Sequence, residues 1–481
     1  WQRWDGTRGL WSGPLPAHKT HKPAVCAGKE RAMRSLRLLW GTIFMMAMIV
    51  YLWGLASAQL SYDVANYKAL ADADSGETIP PGTKITAQNW QKYQKFMQMW
   101  MQAAYSGKYK WHVGMEPEYT VEVGPTHHFP MYQKFIEDTE KYGGQAQLVP
   151  LPSGGFSWKN YVAGIPFPHP AEPNLAAKLT YDTWANFRPK IMDFIAYNWL
   201  VDQYGNVTNL QSNDAFFRLM HLSDPPGGPI NLPNASGTYY ASRFSVELPE
   251  QSKYTTELTL RPDDPTRLEE IYVFLPSLRR SLRLSSAARC APILGTDFVE
   301  DDNAWLPPNF KVTLLGKKKL LAPIMEYDKA FQKDSYLQPP TGFPGWPKHS
   351  AIRWELRDFY LLNLEWLTSL GPYCYSQRVF YMDSETNAST PLESYDRNGK
   401  FWKVVWIVSA PINFRGQHTL IEIASIAQVS GVDFQNSHIT ATVESPTTID
   451  EDGAGTAAGP VPAAFRDPEI TTPGSLSRIM K

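Results

Sequence analysis

The residues best suited to chemistry lie in 271–302, where Arg279, Arg280, Arg283 and Arg289 are followed by Asp297, Glu300, Asp301 and Asp302. A guanidinium fork can hold a carboxylate through two parallel hydrogen bonds. The order therefore predicts an internal ionic seam in which Arg279 and Arg280 meet Asp297, Asp301 and Asp302; in solvent the same groups would form an ordinary charged loop. Carboxylate oxygens also suit a hard cation. These four lack the glycine and alternating ligands of an EF-hand loop, and arginine accounts for them as well, so no metal is expected. Catalysis would need a nucleophile beside a base, or a metal with an open position. The chain has no G-x-S-x-G elbow, H-E-x-x-H, C-x-x-C, G-x-G-x-x-G or P-loop. His127-His128 would point to opposite sides of an extended segment, with no further ligand at a suitable spacing. No catalytic residue and no cofactor are expected.

Strands must position these groups. Ile271, Val273 and Leu275 alternate with Tyr272 and Phe274 until Pro276 removes an N–H donor. From Asp193 onward similar patterns predict strands near 194–201, 205–212, 239–247, 253–261, 269–275, 282–290, 310–321, 351–367, 373–383, 401–409, 419–428 and 436–444. Gly205-Asn206 and Asn398-Gly399 read as hairpin turns, so the arrangement is an antiparallel meander. Ile352, Trp354 and Leu356 oppose Arg353, Glu355 and Arg357, while Trp402, Val404, Trp406 and Val408 share one face. Upstream, Trp90, Tyr93, Phe96, Met97, Trp100 and Met101 recur at helical spacing and predict a helix over 86–105. Shorter helices are expected over 130–142 and 174–187, linked by a Pro/Gly-rich clamp at 154–173. The fold class is mainly β (α+β): a large curved antiparallel sheet covered by N-terminal helices. An apolar sheet face must be covered by helices, by itself or by a ligand. Trp354, Trp402 and Trp406 are candidate ligand contacts there, with Arg279, Arg280 and Arg283 as candidate partners of an anionic head group.

Several pieces occur in a telling order: Gly164-Ile165-Pro166-Phe167-Pro168; Phe274-Leu275-Pro276 with Arg279-Arg280 and Gly295-Thr296-Asp297; Trp354-Glu355-Leu356; Arg378-Val379-Phe380-Tyr381-Met382-Asp383; and Tyr395-Asp396-Arg397-Asn398-Gly399-Lys400-Phe401-Trp402. Together they resemble the bacterial domain of unknown function family 1329, called outer-membrane lipoprotein-sorting-like proteins, over roughly 110–430. The chain departs from that pattern at Thr183-Trp184-Ala185-Asn186-Phe187-Arg188-Pro189, where the family often carries W-N and later R-Y-R-G. The resemblance implies a half-barrel of the lipoprotein-carrier type over 111–445. It also implies a hydrophobic or lipid ligand and, as partner, an inner-membrane exporter of the resistance-nodulation-division class or an outer-membrane protein.

Composition and the N-terminus set the context. Hydrophobic residues are 43% and charged residues 19% of the chain, which supports a sizeable core and excludes wholesale disorder. Aromatics at 13% suit pleated faces and apolar grooves. The net charge of −1 hides an asymmetry: 1–58 hold eight Lys/Arg against Asp5 and Glu30, leaving −7 on the rest and no electrostatic reason to bind nucleic acid. Met33-Arg34-Ser35-Leu36-Arg37, the apolar run to Leu55 and Ala56-Ser57-Ala58 read as a signal peptide over 33–58, behind an upstream extension over 1–32. The expected location is the periplasm, with outer-membrane association; an uncleaved segment would instead anchor the chain in the inner membrane. Cys290 and Cys374 would there be able to form a disulfide, or stay as buried thiols. Residues 59–110 read as an arm and helix, and 446–481 as a flexible tail. The expected function is a carrier of a hydrophobic molecule. The alternatives are an envelope enzyme acting on a hydrophobic or glycan substrate through the acidic cluster, His349 or His418, and a non-catalytic scaffold.

Overall fold

The computed structural model describes residues 60–223, 229–285, 289–303, 307–325, 342–347, 349–350, 352–421, 425–445, 447–449, 467 and 469–480. The expected signal peptide and upstream extension lie outside them. Two small two-stranded sheets, β1 (Lys84–Ile85) with β2 (Val121–Glu122) and β3 (Gln147–Pro150) with β4 (Phe156–Lys159), precede the main sheet. Its first half comprises β5 (Ile191–Val201), β6 (Val207–Arg218), β7 (Thr238–Leu248), β8 (Thr256–Pro262), β9 (Glu270–Leu275) and β10 (Arg280–Arg283). Its second half comprises β11 (Phe310–Met325), β12 (Ile352–Trp366), β13 (Gln377–Asp383), β14 (Ser389–Tyr395) and β15 (Phe401–Ser409). After a small hairpin of β16 (Ile412–Phe414) and β17 (Gln417–Thr419) come β18 (Ile426–Asp433), β19 (His438–Glu444) and β20 (Thr448–Ile449).

The main sheet has fourteen strands. Antiparallel pairings run from β10 through β9, β8, β7, β6 and β5 to β19, β18, β15, β14, β13, β12 and β11. One parallel bridge, Ile324 to Ser409, brings the end of β11 back to β15, so this half of the sheet curls over. The expected large curved antiparallel sheet is therefore present.

One face is sealed by the protein itself. The Trp100 ring stacks on Trp406 at 4.8 Å, and Trp346 stacks on Trp354 at 5.7 Å. Trp354 and Trp406 are each 1% exposed, which corrects their candidacy as ligand contacts: they are interior packing. A buried carboxylate pins the cover. Glu393 accepts from Tyr67 Oη at 2.8 Å, Tyr381 Oη at 3.0 Å and the Trp100 amide at 2.8 Å, and burial pushes its carboxyl up to about 7.

Local chemistry explains where expectation and structure part. The 86–105 segment is not one helix: a 3-10 turn, Trp90–Phe96, gives way to extended backbone at Met97 before the helix Met99–Tyr105. There Gln98 donates to the Leu321 carbonyl at 3.0 Å and Gln102 to the Met97 carbonyl at 2.9 Å, side-chain bonds that compete with a continuous helix. Trp402 is also displaced. Ser394 pairs with Lys403 but Tyr395 with Phe401, leaving Trp402 as an extra residue on β15. That bulge turns Trp402 away from Trp406, toward Asp433 (Nε1 donating at 2.9 Å) and Tyr375. At the other end, 469–480 are not a loose tail: Leu476, in the short helix Pro473–Leu476, is buried beside Leu258 and Phe274. No helix among the described residues is long and apolar enough to cross a membrane.

Truncating Trp406 to alanine leaves a hole under the stacked rings. Trp406→Ala is expected to cost about 3–5 kcal/mol, read as a lower urea midpoint at unchanged slope by circular dichroism.

A candidate ligand cavity on the second face of the sheet

The sheet's second face is only partly covered, and a cavity of about 240 Å³ remains. It exceeds the ~150 Å³ of an apolar cavity that admits benzene. Strand alternation builds its walls. Phe194 and Asn198 come from β5, Leu210, Ser212, Asp214 and Phe216 from β6, Tyr240 and Phe244 from β7, and Arg261 from β8. Opposite them stand Val405 and Ile407 of β15, Val429 of β18, and Thr442 and Glu444 of β19. The segment carrying Ile293, Leu294, Phe298 and Asp302, another carrying Leu420 and Ile421, and Phe380 and Leu392 from β13 and β14 add to the lining. Phe216 sits within 5.6–5.9 Å of Phe194, Tyr240 and Phe244, forming an aromatic wall.

The charged groups come from several elements: Asp214 from β6, Arg261 from β8, Glu444 from β19, Arg188 just before β5 and Asp302 from the acidic loop. Arg188 and Arg261 lie over the Tyr240 ring at 4.9 and 5.0 Å. Asp214 and Glu444 are 8% and 5% exposed, and Asp214 Oδ1 and Glu444 Oε2 lack hydrogen-bond partners. Burial pushes the Asp214 carboxyl up to about 7, eased by Ser212 and reinforced by Asp193. Burial, then the charge of Asp214, holds Glu444 well above the usual carboxylate range. Burial thus favours the protonated form of both acids.

The acids of the expected ionic seam are interior, with Asp302 in the cavity lining, but their partners differ. Arg289 Nη1 donates to Asp301 at 2.8 Å and Nη2 to Glu269 at 2.9 Å. Burial lifts Asp301 to about 6 even against the Arg289 charge. Arg378, 1% exposed, grips Asp302, and Asp297 accepts from Thr440 Oγ1 at 2.8 Å and lies 2.6 Å from His438 Nδ1. Arg279 and Arg280, by contrast, are exposed at the β9–β10 hairpin, and Arg283 pairs with Glu270 at 3.0 Å. Neither the Arg279 and Arg280 seam nor a head-group site at Arg279, Arg280 and Arg283 is formed, because β10 is the outermost strand and its turn faces solvent. The signal for Arg378 was present: it alternates with Phe380 and Met382, and an arginine on an inward apolar face requires a carboxylate. Cys290 and Cys374 are joined, S–S 2.17 Å, tying the acidic loop to the approach of β13. The two histidines of the adjacent pair meet different carboxylates, His127 with Glu355 at 2.6 Å and His128 with Glu385 at 3.2 Å. His349 lies 2.5 Å from Glu122, and His418 beside Phe129, neither in the cavity lining.

The sheet's architecture and a match over residues 84–453 define a family: the chain belongs to the one described as Protein of unknown function (DUF1329). Similar solved structures include a DUF1329 family protein from Desulfovibrio piger, 13% identical, covering 61% of this chain and 95% of that one with a TM-score of 0.41. A putative outer membrane lipoprotein-sorting protein domain from Vibrio parahaemolyticus is 12% identical, covering 63% and 99% with a TM-score of 0.44. A LolA superfamily protein from Nitrosomonas europaea is 11% identical, covering 56% and 89% with a TM-score of 0.33. No curated protein matches the chain.

Two substitutions separate the interior pair from the surface charges. Arg378→Ala, which strands Asp302, is expected to cost about 3–5 kcal/mol, and Arg280→Ala less than about 0.5 kcal/mol, both read by urea denaturation. A third tests Asp214. Its carboxyl rises from 3.8 unfolded to about 7 folded, so its stabilising proton is fully bound below pH 3.8 and lost as pH climbs through about 7. Melting curves should therefore show Asp214→Asn gaining on the unaltered protein between pH 4 and 7, with a constant difference outside that window.

Proposed function

We propose that this chain is a binding or carrier protein whose cavity shelters a lipid tail or similarly hydrophobic molecule. The observation that carries the reading is the asymmetry of the two faces: one is filled by stacked tryptophans, the other keeps about 240 Å³ between aromatic and aliphatic walls. Burying each methylene contributes about 0.8 kcal/mol, so an eight-carbon chain gains roughly 6 kcal/mol before ordering costs. No catalytic group is needed for that. The described lining offers no histidine, cysteine or lysine to activate a nucleophile, which favours binding over the envelope-enzyme alternative. The reading extends to an exported protein, as the 33–58 segment implies, that passes its cargo between an inner-membrane exporter and the outer membrane, the partners that the family resemblance implies.

The test uses N-phenylnaphthylamine, a neutral probe that brightens in apolar surroundings. Saturable binding at one site is expected. Ile407→Trp, which fills the cavity, should weaken it at least tenfold while leaving the circular dichroism melt intact, and the milder Val405→Phe should weaken it in the same direction. Absence of binding, or unchanged binding in both variants, would remove the carrier reading.

A further inference from the structure

Resting on the carrier reading, we propose that the cavity prefers a cationic amphiphile, an alkylammonium whose head sits between Asp214 and Glu444. The two acids flank β5: Asp214 is in register with Phe194 and Glu444 with Ala196. Both line the cavity, both are more than nine-tenths buried, and each has an oxygen without a hydrogen-bond partner. Among the described residues no ion pair reaches either one, whereas buried Asp301 and Asp302 each have an arginine. A buried acceptor left unmatched is a penalty that a ligand donor can lift.

The neighbouring charges point the same way. Arg188 and Arg261 lie against the Tyr240 ring, and Arg261 also feels Glu269 and Glu300. Glu257 is held protonated first by burial and then by Glu300. Asp302 belongs to Arg378, and Asp193 adds a further negative neighbour to Asp214. The other charged groups of the described lining are thus engaged, Arg188 and Arg261 on the Tyr240 ring and Asp302 with Arg378, which leaves the unmatched oxygens of Asp214 and Glu444 as the acceptors that a ligand donor can reach. An ammonium brings three N–H donors to those oxygens, and its charge favours release of the protons that burial holds on the acids. An ionised carboxylate head brings no donor, and an alcohol only one. Leu210 and Phe216, on the strand of Asp214, and Phe194, its register partner on β5, receive the tail. The head-group chemistry is therefore the reverse of the anionic one expected from Arg279, Arg280 and Arg283.

The experiment is displacement of N-phenylnaphthylamine from the full chain at pH 7.5 by dodecylammonium, dodecanol and dodecanoate, each below its micelle concentration. The expected order places dodecylammonium at least tenfold ahead of both others. In Asp214→Asn and Glu444→Gln, measured separately, that ratio should shrink to within about twofold; the ratio is internal to each protein, so a change in stability does not imitate it. Equal displacement by all three heads, or a preference for dodecanoate, overturns the cation proposal and leaves the carrier reading standing. Failure of every dodecyl compound to displace the probe overturns both.

Discussion

A single curved sheet has two faces, and side-chain alternation links them: whatever packs one face fixes what the other presents. Here the tight side sets the terms. Trp100 wedged onto Trp406, with Glu393 collecting the hydroxyls of Tyr67 and Tyr381, holds the register of the second-half strands. With Trp406 and Val408 turned into that core, Val405 and Ile407 have to face the other way, into the cavity. The carrier reading follows from this division, since the described lining of the cavity on the second face holds no tryptophan.

Charge is distributed with the same asymmetry. Around the acidic loop, Asp301 meets Arg289, Asp302 meets Arg378 and Asp297 meets His438, and the Cys290–Cys374 link ties the loop to the approach of β13. A buried carboxylate without one is expensive unless it takes up a proton. Burial pushes Asp214 and Glu444 toward that second course in the cavity wall. Such local departures from good polar matching are where function is commonly found, because the fold gives up stability there.

Much of this was legible in the chain. The alternating runs gave the strands and their antiparallel order, since period-two patterning survives in any half-buried sheet. Ser389–Tyr395 was missed because Pro391 and a mostly polar composition conceal a strand whose hydrogen bonds come from both neighbours. The acids of the seam were recognisable, but their partners were not: Arg378 lies 76 residues from Asp302 and meets it only through strand pairing. Trp402 was misassigned by a single bulge, which no propensity marks. The cavity itself was hidden for a related reason. Phe194, Phe216, Val405 and Val429 are ordinary strand residues, and only register across β6, β5, β19, β18 and β15 gathers them.

The most direct measurement of the central claim is a crystal structure of the protein grown with a dodecyl chain bearing bromine at its tail, read by anomalous scattering. A bromine peak in van der Waals contact with the Phe194, Phe216 and Ile407 side chains is the expected result. A cavity filled by ordered water, with no bromine peak inside it, would contradict the account.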